Sequence, residues 1–352
     1  MANSVVLENI AELNKLRIKI LWRMLLVLVL TSGVVYLTNL AGLPLLVALF
    51  IGLVVGLLLY VFLASLTVGE YVPLFKNKVV KSCVAEYSSG LNYDLVNKPN
   101  SIEFQFSGLH TAVLQKFGCD HHIQAKKDGV TVNCTLMHVN VEPSSMSSSS
   151  GGVTDRVQRL FKGYYLISGE RNNKLPIENV IARCIVVPSG SLHPEKLKLK
   201  VTSDQEKASS VYEKTTGRYT MIQEYEDGPY PFYPAAWSYE TNWKAEDKLA
   251  TGNEEFDKRY DVYVEKPEYL EKFLTAEVQE SILNMRRTIR KDMSFSFAYE
   301  RCYVCIQKDI FPFRPDYLHS VGRNTEMRLI KEISKVDEII SAVAGLHSMV
   351  FR

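Results

Sequence analysis

Cysteine and histidine residues in this chain form two groups whose spacing could support metal or redox chemistry. The first group is Cys302 and Cys305, which have the CxxC spacing of metal knuckles and thioredoxin-like redox sites. The sequence has no second CxxC pair to complete a structural zinc site, and this pair falls inside an apparent strand rather than at a helix start. Residues three apart on a strand point to opposite faces. We therefore predict ordinary strand cysteines at both positions.

The second group lies between Cys119 and His138. Paired strands in this region would bring His121, Cys134 and His138 together, and these side chains supply the nitrogen and sulfur ligands that zinc prefers. The spacing matches no named metal motif, and adjacent histidines such as His121 and His122 are also common in turns. We expect that the protein uses no cofactor. The alternative hypothesis is a membrane-tethered hydrolase or metal-dependent enzyme that uses the region from Cys119 to His138.

Other signatures of catalysis or nucleic-acid binding are absent from the sequence. It contains no GxxxxGK[ST] loop, no GxGxxG, HExxH or GxSxG motif, and no kinase-type set. Its 41 basic and 39 acidic residues give a net charge of +2, whereas a nucleic-acid-binding domain is usually strongly basic. Apolar residues make up 47% of the chain, which excludes a disordered protein. We expect a folded protein without catalysis and without a nucleic-acid partner.

The elements that would position these residues begin with an uncharged stretch. No charged residue occurs from Met24 to Gly69, and a single helix of 46 residues would be about 69 Å long, more than twice the roughly 30 Å of bilayer hydrocarbon. The stretch must fold back, with spans at about 21–38 and 44–66 and a turn between them that contains Gly42 and Pro44. A cleaved signal peptide fits poorly, because no polar cleavage region interrupts the apolar run. The sequence predicts a two-span transmembrane hairpin.

Basic residues flank both spans, and the turn between the spans is uncharged. They are Lys15, Arg17, Lys19 and Arg23 before the first span and Lys76, Lys78 and Lys81 after the second. This distribution places both flanks in the cytoplasm. We therefore predict a multi-pass membrane protein in which residues 1–69 form the N-terminal segment and hairpin, and residues 70–352 form a cytoplasmic domain.

Small residues in the second span indicate close helix packing. Gly52 and Gly56 have the small-xxx-small spacing that lets membrane helices approach each other. The packing would join either the two spans or two copies of the chain, although glycine is also common in membrane helices generally. No ionisable residue lies deep within either span, which counts against an ion pathway or a transporter site.

The remaining chain has the pattern of an α+β domain with a mostly antiparallel sheet and amphipathic helices. Helices are predicted over Glu70–Tyr87, from Pro267 through Ile289, and over about 325–346. Strands are predicted over Ser101–Phe106, Gly129–Val141, Ile181–Val187, Leu197–Val201, Arg218–Tyr225, Phe256–Val264, Ser294–Tyr299 and Arg301–Gln307. The serine-rich segment at about 143–152 is predicted to be a flexible surface loop.

Two surface features are candidates for binding. The basic residues that could face anionic lipid are Lys76, Lys78, Lys81, Arg286, Arg287 and Arg290. The alternative, which the position of the arginines favours, is that they complement the C-terminus of their helix. The aromatic residues of a proline-rich segment form either a partner surface or a rigid loop over the core, and they are Tyr230, Phe232, Tyr233 and Trp237.

Five short segments carry a family resemblance. They are Leu160–Tyr165, with a Phe-Lys-Gly step, Glu255–Tyr263, Phe273–Thr275, Ser294–Phe297 and Tyr303–Ile306. Over roughly Val153–Phe313 the chain resembles a bacterial inner-membrane domain-of-unknown-function family, the one numbered 3137. Tyr260 stands where a second Phe is usual in that family. The resemblance implies a protein of the bacterial inner membrane, often encoded near LemA-family membrane proteins, and it implies no established activity.

These observations together predict a membrane-anchored cytoplasmic protein that acts as a binding or assembly module at the bacterial inner membrane. Its expected partners are the lipid bilayer and a protein, which would be a LemA-like membrane protein or a second copy of the chain.

Overall fold

The computed structural model describes residues 4–63, 65–88, 90–94, 99, 104, 107, 109, 114–141, 158–169, 183–190, 248–264, 266–298, 300–308, 313–317 and 319–351. The chain divides into two compact units. The helical unit comprises Met1–Ser89 and Pro312–Lys335, and the sheet unit comprises Gly90–Phe311 and Val336–Arg352. Four predicted features lie outside the described residues: the loop at 143–152, the strands Leu197–Val201 and Arg218–Tyr225, and the aromatic segment 229–237.

Two long apolar helices begin the helical unit. Helix α1 spans Ser4–Leu40 and helix α2 spans Leu45–Leu63. The turn between them contains Gly42 at a φ of +82°, which glycine adopts without the strain that a Cβ would cause. The turn lies where the sequence predicts it, whereas α1 begins well before the predicted first span.

One helix, over Ile10–Leu40, is long and apolar enough to cross a membrane, and 11% of its most apolar segment is buried. This low burial is unlike the core helix of a soluble protein. The apolar helix over Leu45–Val61 is shorter, and no other helix in the described part of the chain has the length and composition of a membrane span. The structure therefore supports one candidate span near the N-terminus, and the second span stays a prediction.

The chain remains helical after α2, as predicted for Glu70–Tyr87. Helix α3 (Ser65–Leu74) leads into a π-helical segment (Phe75–Val80) and then into α4 (Lys81–Tyr87). The π-helical segment follows Pro73, which cannot donate a backbone hydrogen bond to the helix. Because helical structure continues through residue 70, that position is not a structural boundary.

The start of α1 is joined to the chain near residue 320. The Asn14 amide donates to the Val321 carbonyl at 3.0 Å, and the Val321 N–H donates to Asn14 Oδ1 at 2.9 Å. Nearby in the unit, the rings of Tyr71 and Tyr317 lie 5.4 Å apart. Residues 70–88 and 313–335 therefore belong with the N-terminal helices, which differs from the predicted division at residue 69.

An eight-stranded antiparallel sheet forms the centre of the sheet unit. Its strands are β1 (Leu91–Tyr93), β2 (Leu114–Lys127), β3 (Val130–Val141), β4 (Gln158–Ser168), β5 (Cys184–Pro188), β6 (Tyr260–Val264), β7 (Met293–Ala298) and β8 (Arg301–Gln307). The strand order is β1-β2-β3-β4-β8-β7-β5-β6, and every neighbouring pair is antiparallel. The predicted α+β class with an antiparallel sheet is confirmed.

Two predicted strands contain helical turns instead. Phe104 is the one described residue of the predicted strand at 101–106, and its conformation is helical. The Phe104 carbonyl accepts a hydrogen bond from the Ser107 N–H at 3.3 Å. The predicted strand at 256–264 begins with a short helix, α5 (Glu254–Asp257). Asn253 caps this helix by accepting from two backbone N–H groups, so the strand begins at Tyr260.

The helix predicted from Pro267 is interrupted. A 3-10 turn and α6 (Leu270–Phe273) precede α7 (Ala276–Ile289). Thr275 separates them, because its hydroxyl accepts from the Val278 N–H at 3.3 Å and caps α7. The final helix, α8 (Arg323–Phe351), extends beyond the predicted 325–346 at both ends.

Side chains alternate between the two faces of the sheet along β4. Phe161 and Tyr165 belong to the core cluster on one face, where they pack with Phe104 at ring distances of 6.0 and 5.1 Å. Lys162 and Tyr164 lie on the opposite face, as the two-residue period of a strand requires.

Gly163 occupies the point where β4 comes closest to β8. A Cβ at this position would overlap the Ile306 carbonyl oxygen and would lie 2.9 Å from the Lys308 nitrogen. Only glycine fits there, which gives a physical reason for the glycine of the Phe-Lys-Gly step.

Candidate functional site

The three predicted metal ligands share one face of the sheet but do not converge. Cys134 and His138 are separated by four residues of β3, which is about 13 Å. His121 is paired with Leu136, midway between them. Zinc ligands bind within about 2.3 Å of the ion, and the described residues include no group of three or more His, Cys, Asp or Glu that could hold a metal ion.

Two of the histidines in this region are buried in hydrogen-bonded pairs. His121 Nδ1 lies 2.6 Å from the Tyr93 hydroxyl, and His122 Nδ1 lies 2.8 Å from the Thr135 hydroxyl. Each histidine is 1% exposed. Burial raises the pKa of Tyr93, so its phenol stays protonated at neutral pH. These pairs satisfy buried polar groups between β1, β2 and β3, which is a structural role.

His138 is the accessible member of the group. Its Nδ1 lies 3.6 Å from Asp120 Oδ2, and both side chains are about one-third exposed. Asp120 lies at a register shift between Cys119 and His121, where an extra residue in β2 changes the direction of the strand. The register shift therefore brings a carboxylate to His138 that simple alternation would not predict.

The CxxC cysteines lie on opposite faces of β8, as predicted. Cys302 is paired with Ser168 of β4, whereas Cys305 is paired with Tyr165 and belongs to the core cluster on the other face. Both are buried, and burial raises the pKa of each thiol, so neither is a thiolate at neutral pH. All six cysteines are free thiols.

The arginines at the end of α7 form ion pairs within the sheet unit. Arg287 binds Glu255 at 3.0 Å and Glu280 at 2.7 Å, and Arg286 binds Asp292 at 3.2 Å. These carboxylates offset the positive charge that the sequence assigned to lipid. A third predicted member, Arg290, is exposed and takes the left-handed conformation that ends α7.

The basic residues after the second apolar helix lie on the π-helical segment and α4. Lys78 and Lys81 are exposed, whereas Lys76 is half-buried. The candidate partner residues Tyr230, Phe232, Tyr233 and Trp237 lie outside the described residues.

Gly52 and Gly56 lie on the face of α2 that contacts α1. A Cβ on Gly52 would overlap a methyl group of Val35, and a Cβ on Gly56 would lie 2.8 Å from the Thr31 hydroxyl. Ala48 continues the same line of small residues and is fully buried. Ala48 was not among the predicted packing residues, although its four-residue spacing from Gly52 is the same small-xxx-small signal.

Asp261 is a buried carboxylate that the sequence analysis also missed. Its oxygens accept hydrogen bonds from the Ser189 hydroxyl at 3.0 Å and the Gly190 N–H at 2.9 Å, and they form an ion pair with Lys248. Burial alone would raise the pKa of Asp261, but the hydrogen bonds from Lys248, Gly190 and Ser189 lower it overall. The signal was an aspartate inside the apolar run Tyr260–Val264. Asp261 joins β6 to the turn after β5.

These features define an α+β protein with an apolar N-terminal helix and an antiparallel sheet whose buried polar groups are largely paired. A family model described as "Protein of unknown function (DUF3137)" matches residues 214–344. The predicted resemblance to this family is therefore confirmed over those residues. The match extends further toward the C-terminus than the predicted Val153–Phe313 and does not include Leu160–Tyr165. No curated protein and no solved structure matches the chain.

Proposed function

We propose that this protein is a membrane-anchored binding or assembly module at the bacterial inner membrane. The observation that carries the proposal is the exposure of apolar side chains on the N-terminal helices. Leu46, Phe50 and Leu53 of α2 are each at least 67% exposed, and Leu28 and Leu37 of α1 are at least 63% exposed. Contact between these apolar side chains and lipid would have no free-energy cost, whereas their exposure to water is unfavourable.

A two-span anchor is supported by the packing of α1 against α2. The small residues Ala48, Gly52 and Gly56 let the helices approach closely, which membrane helices require because lipid offers no hydrophobic drive for association. Helix α2 has 19 residues and would be about 28 Å long, close to the roughly 30 Å of bilayer hydrocarbon. Both ends of the hairpin then emerge on one side, which the flanking basic residues assign to the cytoplasm.

The membrane surface would lie near Arg23 and Thr67. The Arg23 guanidinium donates to the Thr67 hydroxyl, and the neighbouring Trp22 is 66% exposed, as suits an interfacial anchor. For helices along the membrane normal, Lys76 lies about 13 Å beyond Thr67 and Lys81 about 20 Å beyond it. The Debye length is about 8 Å at physiological salt. Arg23 therefore interacts with lipid headgroups more strongly than Lys76, Lys78 or Lys81.

The sheet unit supplies the binding function in this proposal. Its partner is a protein, either a LemA-like membrane protein or a second copy of the chain. Purification from native membranes with mild detergent, followed by mass spectrometry, tests this part. Recovery of the chain as a monomer without a stoichiometric partner would contradict it.

The topology is tested by cysteine labelling in intact cells. Ala41 lies in the turn between α1 and α2, and Lys126 is exposed near the end of β2, so Ala41→Cys and Lys126→Cys each report the side of the membrane on which that position lies. We expect a membrane-impermeant maleimide to label Ala41→Cys from outside and Lys126→Cys only after lysis. The unmodified chain is the control, because five of its six cysteines are buried. Labelling of Lys126→Cys in intact cells would contradict the cytoplasmic assignment.

A further inference from the structure

The chain returns to the N-terminal helices at residues 313–321, after the last strand of the sheet. The structure describes 313–317 and 319–321 of this segment, which belongs to the helical unit. Phe313 and Val321, at its two ends, are buried. Arg314, His319 and Ser320, between those ends, are exposed. The 313–321 segment is therefore held at both ends and presents polar side chains between them.

One end of the 313–321 segment has a fixed position relative to Arg23, which marks the proposed membrane surface. The Asn14 amide donates to the Val321 carbonyl, and the Val321 N–H donates to Asn14 Oδ1. Asn14 precedes Arg23 by nine residues of α1, which is about 13 Å of helix. Val321 therefore lies about 13 Å from the proposed surface, on its cytoplasmic side.

The middle of the 313–321 segment lies closer to that surface. The ring of Tyr317 is 5.4 Å from the ring of Tyr71 in α3. Tyr71 follows Thr67, which also marks the proposed surface, by four residues, or about 6 Å of helix. Burial raises the pKa of Tyr317, and the phenol of Tyr60 in α2 is near enough to raise it further. Because Tyr60 precedes Thr67 within the second apolar helix, Tyr317 has neighbours on both sides of the proposed surface.

The polar groups beside Tyr317 limit how deep this part of the segment can lie. One oxygen of Asp316 accepts from the His319 N–H at 3.2 Å, and the other lies 2.7 Å from His319 Nδ1. The His319 side chain is 81% exposed. A carboxylate is costly within the hydrocarbon of a bilayer, whereas water and lipid headgroups solvate it. The pair therefore suits the interface and excludes insertion of this turn into the hydrocarbon.

We infer that Asp316, Tyr317, His319 and Ser320 form an additional membrane contact, in the headgroup layer on the cytoplasmic side. This layer occupies about 5–8 Å on each side of the hydrocarbon. The ring partner of Tyr317 lies about 6 Å from the proposed surface, within that range. Tyrosine is enriched at such interfaces, because its ring is apolar and its hydroxyl is polar. The inference rests on the proposed membrane anchor and adds a contact from a part of the chain far from the hairpin in sequence.

The test is the depth of a nitroxide spin label on the full chain in phospholipid nanodiscs. Electron paramagnetic resonance measures this depth from the accessibility of the label to oxygen and to a water-soluble nickel chelate. His319→Cys and Ser320→Cys place the label at exposed positions of the segment. Each variant carries Cys119→Ser, because Cys119 is the one cysteine that is not buried. Leu53→Cys, on an exposed position of α2, reports the anchor, and Lys331→Cys, exposed on α8, is the matched control.

Lys331 is a suitable control because α8 leads away from the proposed surface. Burial raises the pKa of the Cys83 thiol, and Glu326 of α8 is near enough to raise it further. Cys83 follows Thr67 by sixteen residues, which is about 24 Å along the helical chain. Lys331 lies five residues beyond Glu326 in α8, so its label should lie in water.

We expect the labels at His319→Cys and Ser320→Cys to lie within about 8 Å of the hydrocarbon boundary and to be less accessible to the nickel chelate than the label at Lys331→Cys. The label at Leu53→Cys should lie in the hydrocarbon. If it does, and both labels in the segment are as accessible to the chelate as the control, the inference alone is overturned. A water-exposed label at Leu53→Cys would contradict the proposed anchor and the inference with it.

Discussion

The helical unit and the sheet unit satisfy their polar groups in different ways. In the helical unit, α1 and α2 satisfy the backbone within each helix and leave apolar side chains such as Phe50 and Leu53 exposed. In the sheet unit, polar side chains are buried and paired with specific partners, as with Asp261 and His122. One chain of ordinary average composition therefore contains a unit with exposed apolar side chains and a unit with buried, paired polar side chains.

The largest expected effect is in the sheet unit. Gly163→Val would force a side chain into the Ile306 carbonyl oxygen of β8, and we expect a loss of about 3 kcal/mol or more in the free energy of unfolding. Hydrogen exchange of the 158–168 peptide measures it. Gly345→Ala is the matched control, because a Cβ there meets open space within α8, and it should be neutral or stabilising. Unchanged protection of β4 in Gly163→Val would contradict the close approach of β4 and β8.

A comparable substitution tests the helical unit. Gly52→Ile would overlap Val35 and separate α2 from α1, at a cost of about 1–3 kcal/mol. Gly33→Ile is the control, since nothing lies within 4 Å of a Cβ at that position. Protease resistance of the 4–63 region in detergent reports the result. Equal resistance of the two variants would show that the glycine contact does not hold the helices together.

Asp261 tests how far the sheet unit depends on paired buried charge. Because the pKa of Asp261 is lowered in the folded state, its contribution is present at neutral pH and is lost as pH falls below about 4 through the folded-state pKa. We expect Asp261→Asn to reduce stability by about 2 kcal/mol at pH 7 and by much less in acid. Urea unfolding between pH 3 and pH 7 measures the difference in the free energy of unfolding between the unmodified chain and Asp261→Asn. A difference that stays constant with pH would contradict a stabilising role for the Asp261 charge.

The smallest effect is expected at His347 of α8. Its Nδ1 lies 3.2 Å from the Ser168 hydroxyl, and burial lowers the pKa of His347. The unfolded chain then binds the proton more readily, so stability falls as pH drops below about 6.5. His347→Gln should reduce the change in the free energy of unfolding between pH 5 and pH 7, and we expect this reduction to be less than about 1 kcal/mol. An identical pH profile for the variant and the unmodified chain would contradict the assignment.

Much of the fold could be predicted from local patterns. The turn near Gly42, the β7–β8 hairpin and the final helix follow from punctuation by glycine and from apolar periodicity. The missed elements have local causes that periodicity does not reveal. Asn253 caps a short helix at the start of the predicted strand 256–264, and Thr275 caps a new helix inside the segment predicted as one helix from Pro267.

The candidate site was harder to predict. His121, Cys134 and His138 do share a face of the sheet, but strand geometry spreads them about 13 Å along β3 instead of gathering them. Lys162 and Lys308 are 146 positions apart in the sequence and are neighbours only because β4 pairs with β8. Single-sequence patterns carry no information about such non-local pairing.

The sequence by itself determined the uneven distribution of charge, the apolar N-terminal helix, the α+β class and the placement of the two CxxC cysteines on opposite faces of a strand. These properties depend on composition and on periods of two to four residues, which are local. Only the tertiary structure decided the strand order, the grouping of residues 313–335 with the N-terminal helices, and the pairing of His138 with Lys162. Those features arise from contacts between distant segments, whose free energy depends on the whole packed arrangement and not on any one stretch of sequence.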